Sequence, residues 1–212
     1  MKLSNEAHLA YCTNVHRGNS WQETFDSLEN YVMKVREGVA PEQRFAIGLR
    51  LGADAGRELA DTRKLYEFRK WLEEKNAYVF TINGFPYGNF HGSRVKEEVY
   101  RPDWTTNERL DYTLLLFSIL ENILEPGEEG SVSTLPGSFK EFLHGQEIPD
   151  ILLKKVDTCA LEIEKLAGPK NLDLHLGMEP EPLGLFETTP ETVSFLDKLL
   201  EKGTDQEIIR KR

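Results

Sequence analysis

Apolar residues along this chain recur with two alternating spacings, every second residue over short runs and every third or fourth over longer ones. These are the periods of strands and helices. Residues 7–16 alternate and carry β-branched and aromatic side chains, which predicts a strand. Ser20 with Glu23 spells a capping box opening a helix with Trp21, Phe25, Leu28, Val32 and Val35 on one stripe; Gly38 and Pro41 close it. Residues 44–51 predict a second strand. Residues 61–76 then form a helix that buries Leu65, Phe68 and Leu72 with Trp71 beside them. Residues 77–83 predict a third strand, and Thr105 with Glu108 caps a helix over 108–124 that ends at Pro126-Gly127. A weaker fourth strand covers 130–135. Pro149-Asp150 opens a helix running to Ala167, and a fifth strand begins at Leu172. Thr189-Pro190 starts a helix to Gly203, with proline at its first position, and residues 205–212 begin another.

Strand followed by helix, repeated five times without a hairpin signal, means parallel βαβ units. No Ser/Gly/Pro linker divides the chain, so residues 1–212 read as a single α/β domain. The strand period separates two faces. The second strand sets Phe45, Ile47, Leu49 and Leu51 against Ala46, Gly48 and Arg50; the third sets Tyr78, Phe80 and Ile82 against Val79, Thr81 and Asn83. The first sets Leu9, Tyr11, Thr13 and Val15 against Ala10, Cys12, Asn14 and His16; the fifth sets Leu174, Leu176 and Met178 against His175, Gly177 and Glu179. The large apolar phase is expected to pack on helices and the small, polar phase to line the inside of a curved sheet. No GxGxxG or Walker loop follows the first strand, which removes the nucleotide-binding signatures of an open doubly wound sheet.

Composition narrows the function classes. A formal charge of −10 argues against nucleic acid as a partner, because phosphate binding needs a clustered basic surface. The two cysteines, Cys12 and Cys159, form neither a disulfide framework nor a CxxC pair, as expected of a reducing cytoplasm. No apolar run is long enough to span a bilayer and no secretory leader pattern opens the sequence, so stable membrane insertion is not expected.

The candidate chemistry lies where the polar strand phase ends. Asn14 or His16, Arg50, Asn83, Ser133 and Glu179 fall in one phase at successive carboxyl ends, the face where barrel enzymes build their sites. Glu179 and Glu181 each precede a proline, which cannot donate to a ladder and holds its predecessor extended. Two carboxylates fixed at a strand end suit metal binding or proton transfer, although solvated loop glutamates have the same sequence. The Gly- and aromatic-rich loop 84–92 carries Tyr87 and His91 and is expected to contribute to binding.

Four blocks carry a resemblance: residues 8–16 (HLAYCTNVH), 78–88 (YVFTINGFPYG), 102–112 (PDWTTNERLDY) and 174–182 (LHLGMEPEP). Together they resemble the EboE family, "metabolite traffic" TIM-barrel proteins similar to the xylose isomerase-like superfamily of sugar isomerases, epimerases and endonuclease IV. The resemblance implies a parallel (β/α) TIM barrel of xylose isomerase-like type acting on a small sugar-like metabolite, with a divalent metal (Mn, Zn or Mg). It implies Glu179 as metal ligand with Glu181 second, and Glu181 or His16 as proton carrier. Asn14, Arg50, Asn83, Tyr87 and His91 would line the substrate side. The rival expectations are a non-catalytic metabolite-binding protein with partners in an export pathway, and an endonuclease IV-like phosphodiesterase, which the acidic charge disfavours. Five βα units fall short of the eight of a closed barrel, and the chain stops inside a helix. The sequence therefore reads as the amino-terminal portion of such a barrel.

Overall fold

The computed structural model describes residues 1–3, 7–88 and 96–212. Five parallel strands form one sheet in the order β1-β2-β3-β4-β5: β1 Ala10–Cys12, β2 Phe45–Arg50, β3 Ala77–Asn83, β4 Glu129–Thr134 and β5 Asp173–Met178. Each strand lies beside the next in sequence, the winding of a (β/α) barrel, whereas a doubly wound sheet reverses order. Helices join the strands: α1 Trp21–Ser27, continued through a π-helical turn at Leu28–Val32 into α2 Met33–Val39; α3 Ala53–Leu59 and α4 Thr62–Glu74; α5 Asn107–Ile123; α6 Asp150–Ala167; then α7 Thr189–Lys202 and α8 Gln206–Lys211.

Local rules account for most boundaries. Ser20 Oγ accepts from Glu23 N (3.2 Å) while the Glu23 carboxylate accepts from Asn19 N and Ser20 N, closing the capping box in both directions. Asp61 and Asp205 cap α4 and α8 with their carboxylates. The α5 cap is Thr106, not the expected Thr105: Thr106 Oγ1 accepts from Arg109 N, whereas Thr105 Oγ1 donates to Asp103 (2.5 Å). The first strand is shorter than expected because a 3-10 turn at Thr13–Val15 ends it. The apolar pattern does not predict helix α3, since its Gly56 and short span leave little periodicity.

The core lies between the sheet and its helices. Phe45, Ile47, Leu49, Val79, Ile82, Val132 and Leu174 all pack into it, with Phe68, Phe117, Leu120 and Ile163 from the helices. The expected phase of β3 needs correction. A register shift between Ile47 and Gly48 pairs Ile47 with Val79 but Gly48 with Thr81, so Phe80 is the extra residue of a bulge. Val79 and Ile82 therefore both face the helices, and Tyr78 shares the opposite face with Thr81 and Asn83.

Candidate functional site

That opposite face carries no helix among the described residues, and its composition is unlike a barrel interior of branched apolar side chains. Register sets its rows. One runs Cys12, Gly48, Thr81, Ser131, His175; the next, toward the carboxyl ends, runs Arg50, Asn83, Ser133, Gly177. Ser131 Oγ donates to Thr81 Oγ1 at 2.9 Å, linking hydroxyls across two strands. The Glu179 amide still donates to Thr134 O (2.9 Å), so the β5 phase carries through to Glu179, one step beyond Gly177 on the same face.

The loops above these rows are held by specific bonds. Asn83 Oδ1 accepts from Phe85 N (3.0 Å), an Asx turn that leaves its amide N–H donors for a ligand. Gly84 N donates to Ser133 O (3.0 Å), and Gly84 O accepts from Arg109 Nη1 (2.8 Å). Arg109 is fully buried; its Nε donates to Pro102 O (2.8 Å), and burial lowers its pKa to about 10, leaving it charged at neutral pH. Tyr112 Oη donates to Leu51 O (2.6 Å), and Tyr87 packs edge-on against the Tyr112 ring (5.0 Å). Burial raises the Tyr112 pKa, so the phenol stays a donor. Arg109 and Tyr112 fall in the block 102–112 that carries the resemblance, but the local pattern gives neither a site role. Both lie on a helix whose pattern reads as ordinary core and surface.

The expected site residues separate into groups. Asn83 and Glu179 belong to the polar face. Glu181 follows in a turn closed by Gly184 N to Glu181 O (2.9 Å); the Tyr100 hydroxyl donates to Pro182 O (3.1 Å), and burial followed by the Glu181 charge raises the Tyr100 pKa. Arg50 is 5% exposed and donates to Gly18 O and Gly88 O, so it ties together the loops after β1 and β3. Burial lowers its pKa. Tyr87 is similarly engaged: its carbonyl accepts from Ala53 N (2.8 Å) and its hydroxyl from Arg57. Asn14 lies in the 3-10 turn, with Oδ1 buried and without a hydrogen-bond partner.

His16 does not join the polar face. The turn at Thr13–Val15 breaks the strand phase, and the imidazole stacks between Tyr31 (5.3 Å) and Tyr11 (5.8 Å), with Nε2 3.0 Å from Tyr11 Oη. Tyr11 is in register with Ile47, so this stack sits on the helix-bearing side. Partial burial lowers the His16 pKa. His91 lies outside the described residues.

Among the described residues no three His, Cys, Asp or Glu side chains converge closely enough to hold a metal ion. Glu179 and Glu181 thus form no complete ligand set with the neighbours present, and the expected metal site does not fit these residues alone. No helix is long and apolar enough to cross a membrane among the described residues.

No family model and no curated protein matches the chain. Among solved structures it is similar to the crystal structure of the IOLI protein with a bound zinc atom, at 13% identity and a TM-score of 0.49, over 90% of this chain. The chain spans 59% of the length of that protein.

Proposed function

We propose that the polar sheet face binds a small polyhydroxylated, sugar-like metabolite in the mouth of a xylose isomerase-like barrel, as in proteins of the EboE metabolite-traffic type. The observation that supports this is the pair of rows Thr81–Ser131 and Asn83–Ser133, which lead to Glu179 at the strand ends. Hydroxyls, an amide and a carboxylate spaced at strand intervals offer alternating donors and acceptors, the complement of adjacent hydroxyls on a polyol. Asn83 Nδ2 and Ser133 Oγ would donate and Glu179 would accept. Asn14 Oδ1, a buried acceptor, would take a further ligand donor. Arg50 and Tyr87 would shape the mouth by holding its loops. Glu181, the second carboxylate, would accept a proton in an isomerisation or epimerisation. Binding without turnover is the second reading, favoured by the incomplete ligand set around Glu179 and Glu181.

The test is calorimetric titration with a panel of aldoses, ketoses and cyclic polyols. We expect saturable binding by at least one, weakened about tenfold or more in Glu179→Gln, as loss of a charged hydrogen bond requires. Turnover of the bound compound separates catalysis from binding. A panel that does not bind, or equal affinity in Glu179→Gln, refutes the assignment.

A further inference from the structure

At the amino-terminal end of the same face, three segments distant in sequence meet through one imidazole. His8 Nε2 stands 3.1 Å from Glu129 Oε1, and His8 Nδ1 stands 2.8 Å from Tyr78 Oη. A carboxylate on one nitrogen makes that nitrogen the N–H donor, so Nδ1 is left to accept the phenol proton. The His8 ring lies on Phe80 (centroids 4.5 Å apart), and the Arg44 guanidinium covers the Tyr78 ring at 4.6 Å. Arg44 is itself paired with Glu128 at 3.6 Å. These groups border a cleft of about 410 Å³, within the size range of small-ligand sites.

We propose that this cleft is a second reaction site, in which Tyr78 is the nucleophile of a Tyr78–His8–Glu129 triad acting on small aryl esters. The order nucleophile, base, orienting carboxylate is the arrangement by which a neutral hydroxyl is activated only as it attacks. Burial holds the Tyr78 phenol above its ordinary pKa, so it rests protonated, as this arrangement requires. The Phe80 and His8 rings supply a flat wall against which an aryl group stacks. Tyr78 Oη bonds to the ester carbonyl carbon as its proton passes to His8 Nδ1. The bond between the carbonyl carbon and the aryloxy oxygen then breaks, and the phenol leaves with that proton, delivered from His8 Nδ1. Water next attacks the acyl–Tyr78 ester with His8 as base, releasing the carboxylic acid and restoring the Tyr78 hydroxyl. Glu129 is a positioning residue, acting through His8.

The probe is p-nitrophenyl acetate, followed by release of p-nitrophenolate and by peptide mass spectrometry of the acetylated chain. Tyr31 and Tyr66, 57% and 67% exposed, are internal comparators. We expect saturable release with acetyl on Tyr78 ahead of both, abolished in Tyr78→Phe and reduced about 10²-fold in His8→Gln, the scale of lost base catalysis. Glu129→Gln should lower kcat while KM holds, and circular dichroism verifies that each variant is folded. Acetylation of Tyr31 or Tyr66 at or above the level of Tyr78 overturns the proposal, and this comparison within the wild-type chain decides even where a variant fails to fold. Release unchanged in Tyr78→Phe overturns it equally. A fall in melting temperature across the variants with no acetyl on Tyr78 overturns the proposal and assigns the network to holding His8 against the sheet.

Discussion

Replacing Gly84 by alanine tests whether the loop after β3 is pinned as tightly as its contacts imply. A Cβ at Gly84 would stand 2.6 Å from Leu116 Cδ1, 3.0 Å from Ser133 O and 3.3 Å from Val132 Cγ1. Leu116 and Val132 are fully buried, and Ser133 O is the ladder acceptor of the Gly84 amide, so relief requires the end of β3 to move off β4 and α5. Overpacking of this kind costs about 1–3 kcal/mol. The reduced freedom of the unfolded chain offsets about 0.4–1 kcal/mol, because the backbone at Gly84 is open to alanine. The net is a loss of about 1.5 kcal/mol, or roughly 3–6 °C in Tm for a chain of this size. Gly38 is the control: exposed in α2, with nothing within 4 Å of an added Cβ, it should gain about 0.5–1 kcal/mol on becoming alanine. Urea unfolding followed by circular dichroism, with m-values compared, reads both. If Gly84→Ala melts at or above wild type while Gly38→Ala behaves as stated, the close approach of β3 to α5 is wrong.

Two further outcomes follow from buried and charged groups. Tyr112→Phe removes the donor to Leu51 O in a fully buried setting, so thermal unfolding should show a loss of about 1–3 kcal/mol; an unchanged Tm refutes that bond. The Glu191 carboxylate accepts from Lys140, Glu187 N, Thr188 N and Thr188 Oγ1, and these, Lys140 foremost, lower its pKa from 4.5 to about 2. Its folded-state pKa is depressed, so its contribution is fully present above pH 4.5 and is lost as pH falls toward about 2. Carboxyl-carbon NMR titration should place its midpoint near 2; a midpoint near 4.5 removes the Lys140 contact and the α7 cap together.

Much of this protein is legible one segment at a time. The helix starts at Ser20 and Pro149-Asp150, the span of β3 and the two-phase division of β2 and β5 follow from capping chemistry and side-chain period, which act over a few residues. Parallel winding also follows, because strands separated by helices cannot pair as hairpins. Only the tertiary structure decided which face each residue joins where the period is interrupted. The bulge at Phe80 moves Tyr78 to the polar face, and the 3-10 turn at Thr13–Val15 sends His16 to the helix side, since a single unpaired residue inverts every side chain beyond it. The same holds for groups held by long-range bonds. Arg50 reads as a ligand-binding cation, yet its guanidinium is spent on two loop carbonyls. Arg109 and Tyr112 read as ordinary helix residues, yet they anchor the loop that follows Asn83. His8, Tyr78 and Glu129 carry no shared pattern, since contacts between residues 70 positions apart depend on sheet register and not on local spacing.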